Sequence, residues 1–175
     1  FQIILRSTTI EELIMIKLDI FSDPICPWCY IGKSYLDRAL EKVGNHPFTI
    51  QWHPFQLNPE MPVAGIDRKK YLETKFGSRD LAVKAYTPVL EHANLAGLTL
   101  KLEDIAKTPN TLSSHRLILW AWQEGVQHAV VSALFKAYFV EGRDIGNHAE
   151  LVDISHNAGI SGDLVSRLLT GKNDV

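Results

Sequence analysis

Between Ile16 and Phe55 the spacing of apolar positions changes twice. Ile16–Ser22 (IKLDIFS) is a short apolar run with β-branched residues, closed by Asp23-Pro24, and predicts a buried strand. From Pro27 the apolar positions fall at Ile31, Tyr35, Leu36, Ala39, Leu40 and Val43. That is the spacing of a helix face, and Gly44 supplies its stop. Phe48–Phe55 (FTIQWHPF) then alternates Phe48, Ile50 and Trp52 with Thr49, Gln51 and His53, which predicts a second strand. Strand, helix and strand in this order predict a βαβ unit with the right-handed crossover usual for such units.

Beyond Pro59 the pattern predicts no further strand. QLNPEMPVAG is loop, Asp67–Phe76 a short helix ended by Gly77, and Leu81–Ala96 a helix ended by Gly97 that Pro88 kinks or divides. Ser113–Glu124 is apolar almost all round and predicts a buried helix. Val130, Val131, Leu134, Phe135, Tyr138 and Phe139 mark the next one. Leu151, Ile154 and Ala158 mark another before Gly159, and Asp163 is the expected cap of a last helix reaching Leu169. The expected class is therefore α/β: a βαβ start followed by roughly a hundred residues of helix. Two strands alone make a poor sheet, so further strands are expected from elsewhere in the protein or from a second chain.

Composition narrows this only a little. A chain of 175 residues that is 46% hydrophobic suits one domain, or one domain with a large insertion. Eighteen basic against twenty acidic residues give no reason to expect nucleic acid or an anionic membrane as partner. No apolar run approaches the ~18 residues of a membrane helix. Residues 1–14 (FQIILRSTTIEELI) carry one basic residue, two glutamates and no small-residue cleavage site, so they read as an N-terminal extension rather than a signal peptide. The expected compartment is the cytoplasm, where structural disulfides are rare.

That expectation bears on the chain's two cysteines, Cys26 and Cys29, in DPICPWCYIG. A thiolate rather than a thiol attacks a disulfide, and a free cysteine ionises only near ~8.5. Cys26 falls where the first strand gives way to the helix, so unpaired backbone N–H groups and the helix dipole favour its anion. Pro27 suits the first helical position, and Lys33 is expected to add positive potential. Cys29, one turn further in, is placed to resolve a mixed disulfide formed on Cys26. A zinc site would need a second CxxC or a paired histidine set, and haem attachment would need histidine where Tyr30 stands; neither is present. No metal site is expected. Trp28 and Tyr30 are candidates for an apolar lip, His53 for a solvent-facing position, and Trp52, Phe55, Trp120 and Trp122 for the core.

SDPICPWCYIGK, WHPFQLNPEMP, KKYLETKFG and PNTLSSHRLILWA together strongly resemble the DsbA family of thioredoxin-fold proteins, and within it the cytoplasmic FrnE-like branch, over about Ile16–Leu169. The resemblance implies a thioredoxin-like domain interrupted by a large all-helical insertion. Residues 15–57 would be the first half of that domain, 58–161 the insertion, and 162–175 the start of the return. It implies thiol–disulfide oxidoreductase or isomerase activity at Cys26 and Cys29, on disulfides of proteins or small molecules. No cofactor beyond the redox-active disulfide is implied, with glutathione a possible co-substrate. Asn110, Thr111, His115 and Arg116 match a segment that would face the active-site cleft, with His115 tuning the Cys26 thiolate or else an ordinary buried histidine. Arg116 is equally an ion-pair partner. A related branch, the 2-hydroxychromene-2-carboxylate isomerases and kappa-class glutathione transferases, offers a glutathione-dependent alternative, although it usually carries serine at the first active-site position. Family members continue with a strand that opens at a cis-proline, a hairpin and a final helix. The last proline here is Pro109, so these C-terminal strands are absent from the sequence. A shortened chain, strands supplied by a partner (as in a homodimer), and a non-catalytic fragment that binds through apolar surface all stay open.

Overall fold

The computed structural model describes residues 2–7 and 15–171, with side chains for residue 2 and for 15–171. Strand β2 (Ile16–Ser22), helix α1 (Pro27–Val43) and strand β3 (Phe48–Pro54) form the expected βαβ unit. β2 and β3 pair in parallel from Ile16↔Phe48 to Ser22↔Pro54. The alternation in β3 places Trp52 in the core, 1% exposed.

The third strand comes from the segment that reads as an extension. β1 (Gln2–Ser7) runs antiparallel along the other edge of β2, from Gln2↔Phe21 to Ser7↔Ile16, giving the sheet order β1-β2-β3. A second correction concerns the region past Pro59. β4 (Ile66–Asp67) and β5 (Lys107–Thr108) make a two-residue antiparallel ladder there. It requires a backbone approach that only glycine allows. Gly65 has φ +71°, and a Cβ on it would meet the Thr108 carbonyl oxygen at 2.8 Å. This ladder feeds α2 (Arg68–Phe76) and α3 (Arg79–Leu95); α3 runs through Pro88 undivided.

The remaining helices are α4 (Leu112–Gln123), α5 (Gln127–Phe139), α6 (His148–Asn157) and α7 (Gly162–Thr170). Their buried stripes supply Leu117, Val130, Leu134, Phe135, Tyr138, Phe139, Leu151 and Val165 to one core that includes Ile20 and Trp52. Ser161, not Asp163, caps α7: its Oγ accepts from the Leu164 amide, and Asp163 sits in the first turn, where the dipole favours it. The expectation of a buried α4 holds for one face only. Leu119 (41%) and Trp122 (39%) are exposed, Trp120 is half-buried, and Phe55 at the end of β3 is 54% exposed. Among the described residues no helix is long and apolar enough to cross a membrane.

One side chain closes the sheet against the helices. Gln127, 4% exposed at the start of α5, behaves like an added strand residue on the outer edge of β3. Its Oε1 accepts from the Trp52 amide (2.8 Å), and its Nε2 donates to the carbonyls of Trp52 (2.9 Å) and Ile118 (3.2 Å). Gln127→Leu keeps most of the volume but leaves the Trp52 amide and carbonyl without the partner that Gln127 gives them in the core. The expected loss is about 2–4 kcal/mol, read as a lower denaturant midpoint with unchanged slope.

Candidate functional site

The turn Asp23-Pro24-Ile25 carries the chain from β2 into α1 and delivers Cys26 to the N-cap, with extended backbone (φ −90°, ψ 112°) and Pro27 in the first turn. The Cys26 amide donates to the Asp23 carbonyl (2.9 Å), and the Cys29 and Tyr30 amides donate to the Cys26 carbonyl (3.1 and 3.2 Å). These bonds fix where both sulfurs stand. Cys26 is half-buried and reachable, Cys29 is 4% exposed, and both are free thiols.

The two sulfurs titrate as one unit. The hydrogen bond between the sulfurs, first, favours one negative charge on the pair; the Asp23 backbone and the Ser22 hydroxyl support it from the Cys29 side, against the cost of burial. The same contact, then burial, opposes loss of the second proton, and the Trp28 and Cys29 amides face the Cys26 sulfur and favour its anion. Those amides close no regular side-chain cap. The pair therefore gives up one proton readily and holds the second. Exposure falls on Cys26, the sulfur that the sequence marks as the attacking one. Ser22 Oγ is buried with no partner at normal hydrogen-bond geometry, yet lies near enough to the Cys29 sulfur to favour its thiolate.

Asp23, which the sequence marks only as a turn residue, lies beneath this pair. It is 1% exposed. Its Oδ1 accepts from the Ile25 amide (3.2 Å), and its Oδ2 accepts from the Leu57 amide (2.8 Å) and the Thr111 hydroxyl (3.5 Å). Burial outweighs these bonds and, with a smaller repulsion from Cys29, lifts its pKa to about 6. His115 Nε2 stands 3.9 Å from Asp23 Oδ1. The ring is 2% exposed and neither nitrogen has a regular hydrogen bond. Burial lowers it to about 4, against a small opposing pull from the Phe55 backbone. His115 thus faces Asp23 and is neutral.

The other expected neighbours divide. Trp28 is 45% exposed beside Cys26, its ring edge-on to His92 of α3 at 5.4 Å. Tyr30 is no lip: it stacks on Phe135 and Phe139 of the core at 5.0 and 5.8 Å. Lys33 is committed away from the cysteines. It is 2% exposed, with Nζ 2.6 Å from Asp37 and 3.2 Å from His128. Asn110 acts as a clamp, donating to the Met61 carbonyl (2.6 Å) and accepting from the Leu112 amide (2.9 Å), which sets Thr111 over Asp23. Arg116 donates to the carbonyls of Leu168 (2.6 Å) and Gly171 (2.8 Å) at the end of α7. His53 is not simply solvent-facing: it bonds Asp19 at 2.7 Å and stacks on Phe21. Among the described residues no three His, Cys, Asp or Glu side chains gather as a metal site would require.

Known proteins share this fold. The sequence profile of the DSBA-like thioredoxin domain matches residues 17–174. The uncharacterised protein YwbO of Bacillus subtilis is 20% identical over 151 residues, 84% of this chain and 68% of that one. A crystal structure described as a probable DsbA oxidoreductase from Streptomyces coelicolor superposes with a TM-score of 0.78 at 25% identity, covering 89% of this chain and 68% of that one. The cytosolic disulfide reductase DsbM of Pseudomonas aeruginosa, solved with glutathione, shares the fold at TM-score 0.62 and 20% identity, over 88% and 70% of the two chains. With nearly its whole length inside that profile, the chain belongs to the DSBA-like thioredoxin-domain family, whose chemistry is that of thiol–disulfide oxidoreductases and isomerases.

Proposed function

We propose that this chain exchanges thiols and disulfides through Cys26-Pro27-Trp28-Cys29, as a FrnE-like member of its family working in the cytoplasm. One observation carries the reading: a reachable cysteine caps a helix and is hydrogen-bonded to a sealed cysteine one turn in, above a buried carboxyl group. An incoming disulfide, of a protein or of a small molecule such as glutathione disulfide, meets Cys26 beside the exposed Trp28 ring. With the pair's one remaining proton on Cys29, Cys26 attacks as thiolate, and one substrate sulfur leaves as thiolate. Cys29 then gives that proton to the Asp23 carboxylate and attacks the Cys26 sulfur. The Cys26–Cys29 disulfide forms and the second substrate sulfur leaves. Two electrons pass from the dithiol to the substrate; run backwards, the same steps oxidise a substrate dithiol.

Equilibration of the protein in glutathione redox buffers tests this. The expected result is a reversible two-electron transition between free thiols and one intramolecular disulfide. Its midpoint should fall between about −120 and about −270 mV, the span of CxxC oxidoreductases. Absence of a reversible transition overturns the proposal.

A further inference from the structure

Away from the cysteines, α2, α3 and the 3-10 turn Leu102–Asp104 with the residues after it line an open cavity of about 630 Å³. Its walls are largely apolar, with Leu72, Val83, Leu90, Leu102 and Ile105 among them. The buried charge among its lining residues is Arg68, the first residue of α2, only 6% exposed. The Gly65 approach and the β4–β5 ladder hold it there, with its amide bonded to the Ala106 carbonyl at 3.0 Å.

The guanidinium is surrounded by neutral groups. Nη1 donates to the Tyr138 hydroxyl (3.0 Å) and Thr108 Oγ1 (3.5 Å), and Nη2 donates to the Tyr86 hydroxyl (3.1 Å). The Tyr86 and Tyr138 rings lie 5.5 and 5.8 Å from its central carbon. Among the described residues no carboxylate lies within ion-pair distance of it, and Nε is buried without an acceptor. Buried arginines are nearly always paired, because a desolvated charge with no counter-charge is costly. The buried Lys33 obeys that rule through Asp37. The other charged residues at the cavity, Asp67, Lys69, Glu73, Arg79 and Glu103, are all exposed, and Asp67 Oδ1 already caps the Lys70 amide at 2.9 Å. They balance one another only in solvent. At depth the charge is one uncompensated cation.

We propose that this cavity binds a medium-chain organic monocarboxylate, with the carboxylate on Arg68 and the chain along the apolar wall. Three of the five guanidinium N–H groups are used. The two left over, one on Nε and one on Nη2, are donors a carboxylate can take. Tyr86 lines the cavity and holds Nη2, which puts the guanidinium edge at the wall. Nε is sealed from water, so entry requires a wall side chain such as half-buried Leu102 or Tyr86 to turn aside. The volume lies within the range of small-molecule sites.

Calorimetric titration of the full chain with octanoate, against 1-octanol as the uncharged analogue, tests the proposal. Octanoate is expected to bind saturably at one site, at least about tenfold more tightly than octanol, a difference one charge-assisted contact supplies. Arg68→Met should erase the preference and Arg68→Lys restore part of it. Because Arg68 is also a packing residue, Val83→Trp, at a position 61% exposed on the cavity wall, provides a second variant that fills the space without touching the core; it should abolish binding. Octanol binding as tightly as octanoate, octanoate binding that survives Val83→Trp, or no binding at millimolar octanoate each overturns the proposal.

Discussion

Cys26→Ser abolishes disulfide turnover, with an expected fall on the order of 10³-fold or more in reduction of insulin or of an aryl disulfide. Cys29→Ser behaves differently: it accumulates a covalent adduct and turns over poorly. The asymmetry comes from burial. Cys26 presents a sulfur at the N-cap, where a substrate disulfide can approach in line, whereas Cys29 is 4% exposed under the first turn. Without Cys26 an incoming disulfide has no sulfur to meet. Without Cys29 the mixed disulfide has no internal thiol to release it. Because the chain has only two cysteines, any adduct on Cys29→Ser must sit on Cys26. Intact-mass measurement after mixing with a disulfide reads this directly: one adduct per chain on Cys29→Ser, none on Cys26→Ser. Equal adduct formation on both variants would mean that the buried sulfur attacks for itself, and the division of roles would be lost.

The parts of this molecule legible in the sequence are those set by local periodicity. β2, α1 and β3 come from two changes of period within forty residues, and the cysteines fall at the junction between two of them. Capping chemistry is readable to within a turn, which is why α2 starts at its Asp67 cap while α7 takes Ser161 in place of Asp163. The hidden parts depend on pairing across the chain. β1 is a strand because β2 offers it an edge; its short run Ile3-Ile4-Leu5 does not by itself say what it pairs with. Apolar content does not give the phase of a helix, so α4 reads as buried although Leu119 and Trp122 point outward. At the site, Lys33 sits close in sequence to the cysteines, but Asp37 and His128 claim its ammonium. Asp23 is the opposite case. A carboxylate ending a buried strand three residues before the first cysteine is a usable signal, since the strand that buries Ile20 carries the next few residues into the same core.

Asp23 and His115 give the second large effect, one the unmodified protein conceals. The unfolded chain releases the Asp23 proton near 3.8, whereas the folded protein keeps it to about 6. Between those values the folded state binds more protons, so its stability falls as pH rises, by about 3 kcal/mol over the window. His115 works in the opposite sense. Unfolded it takes a proton near 6.5, and folded only near 4. There the unfolded state binds more protons, so stability is fully present above 6.5 and is lost as pH falls towards 4, again by about 3 kcal/mol. The two windows nearly coincide and the slopes oppose, so the wild-type contribution between pH 4 and 6.5 is close to flat. Each single variant uncovers the other residue. Asp23→Asn should lose about 3 kcal/mol on acidification from pH 6.5 to 4, and His115→Phe should gain about as much. Asp23→Asn carries a pH-independent offset, because its NH2 must face either the Ile25 or the Leu57 amide, each of which now donates to an Asp23 oxygen. The informative quantity is therefore the slope of stability against pH, measured by denaturant titration across the window, rather than stability at one pH. At 3.9 Å the two side chains are near enough to couple, and the double variant measures that coupling as the departure of its stability change from the sum of the two single changes at each pH. A wild-type-like flat profile in both single variants would mean that neither group is held as its burial requires, and Asp23 would then have no standing as the acceptor of the Cys29 proton.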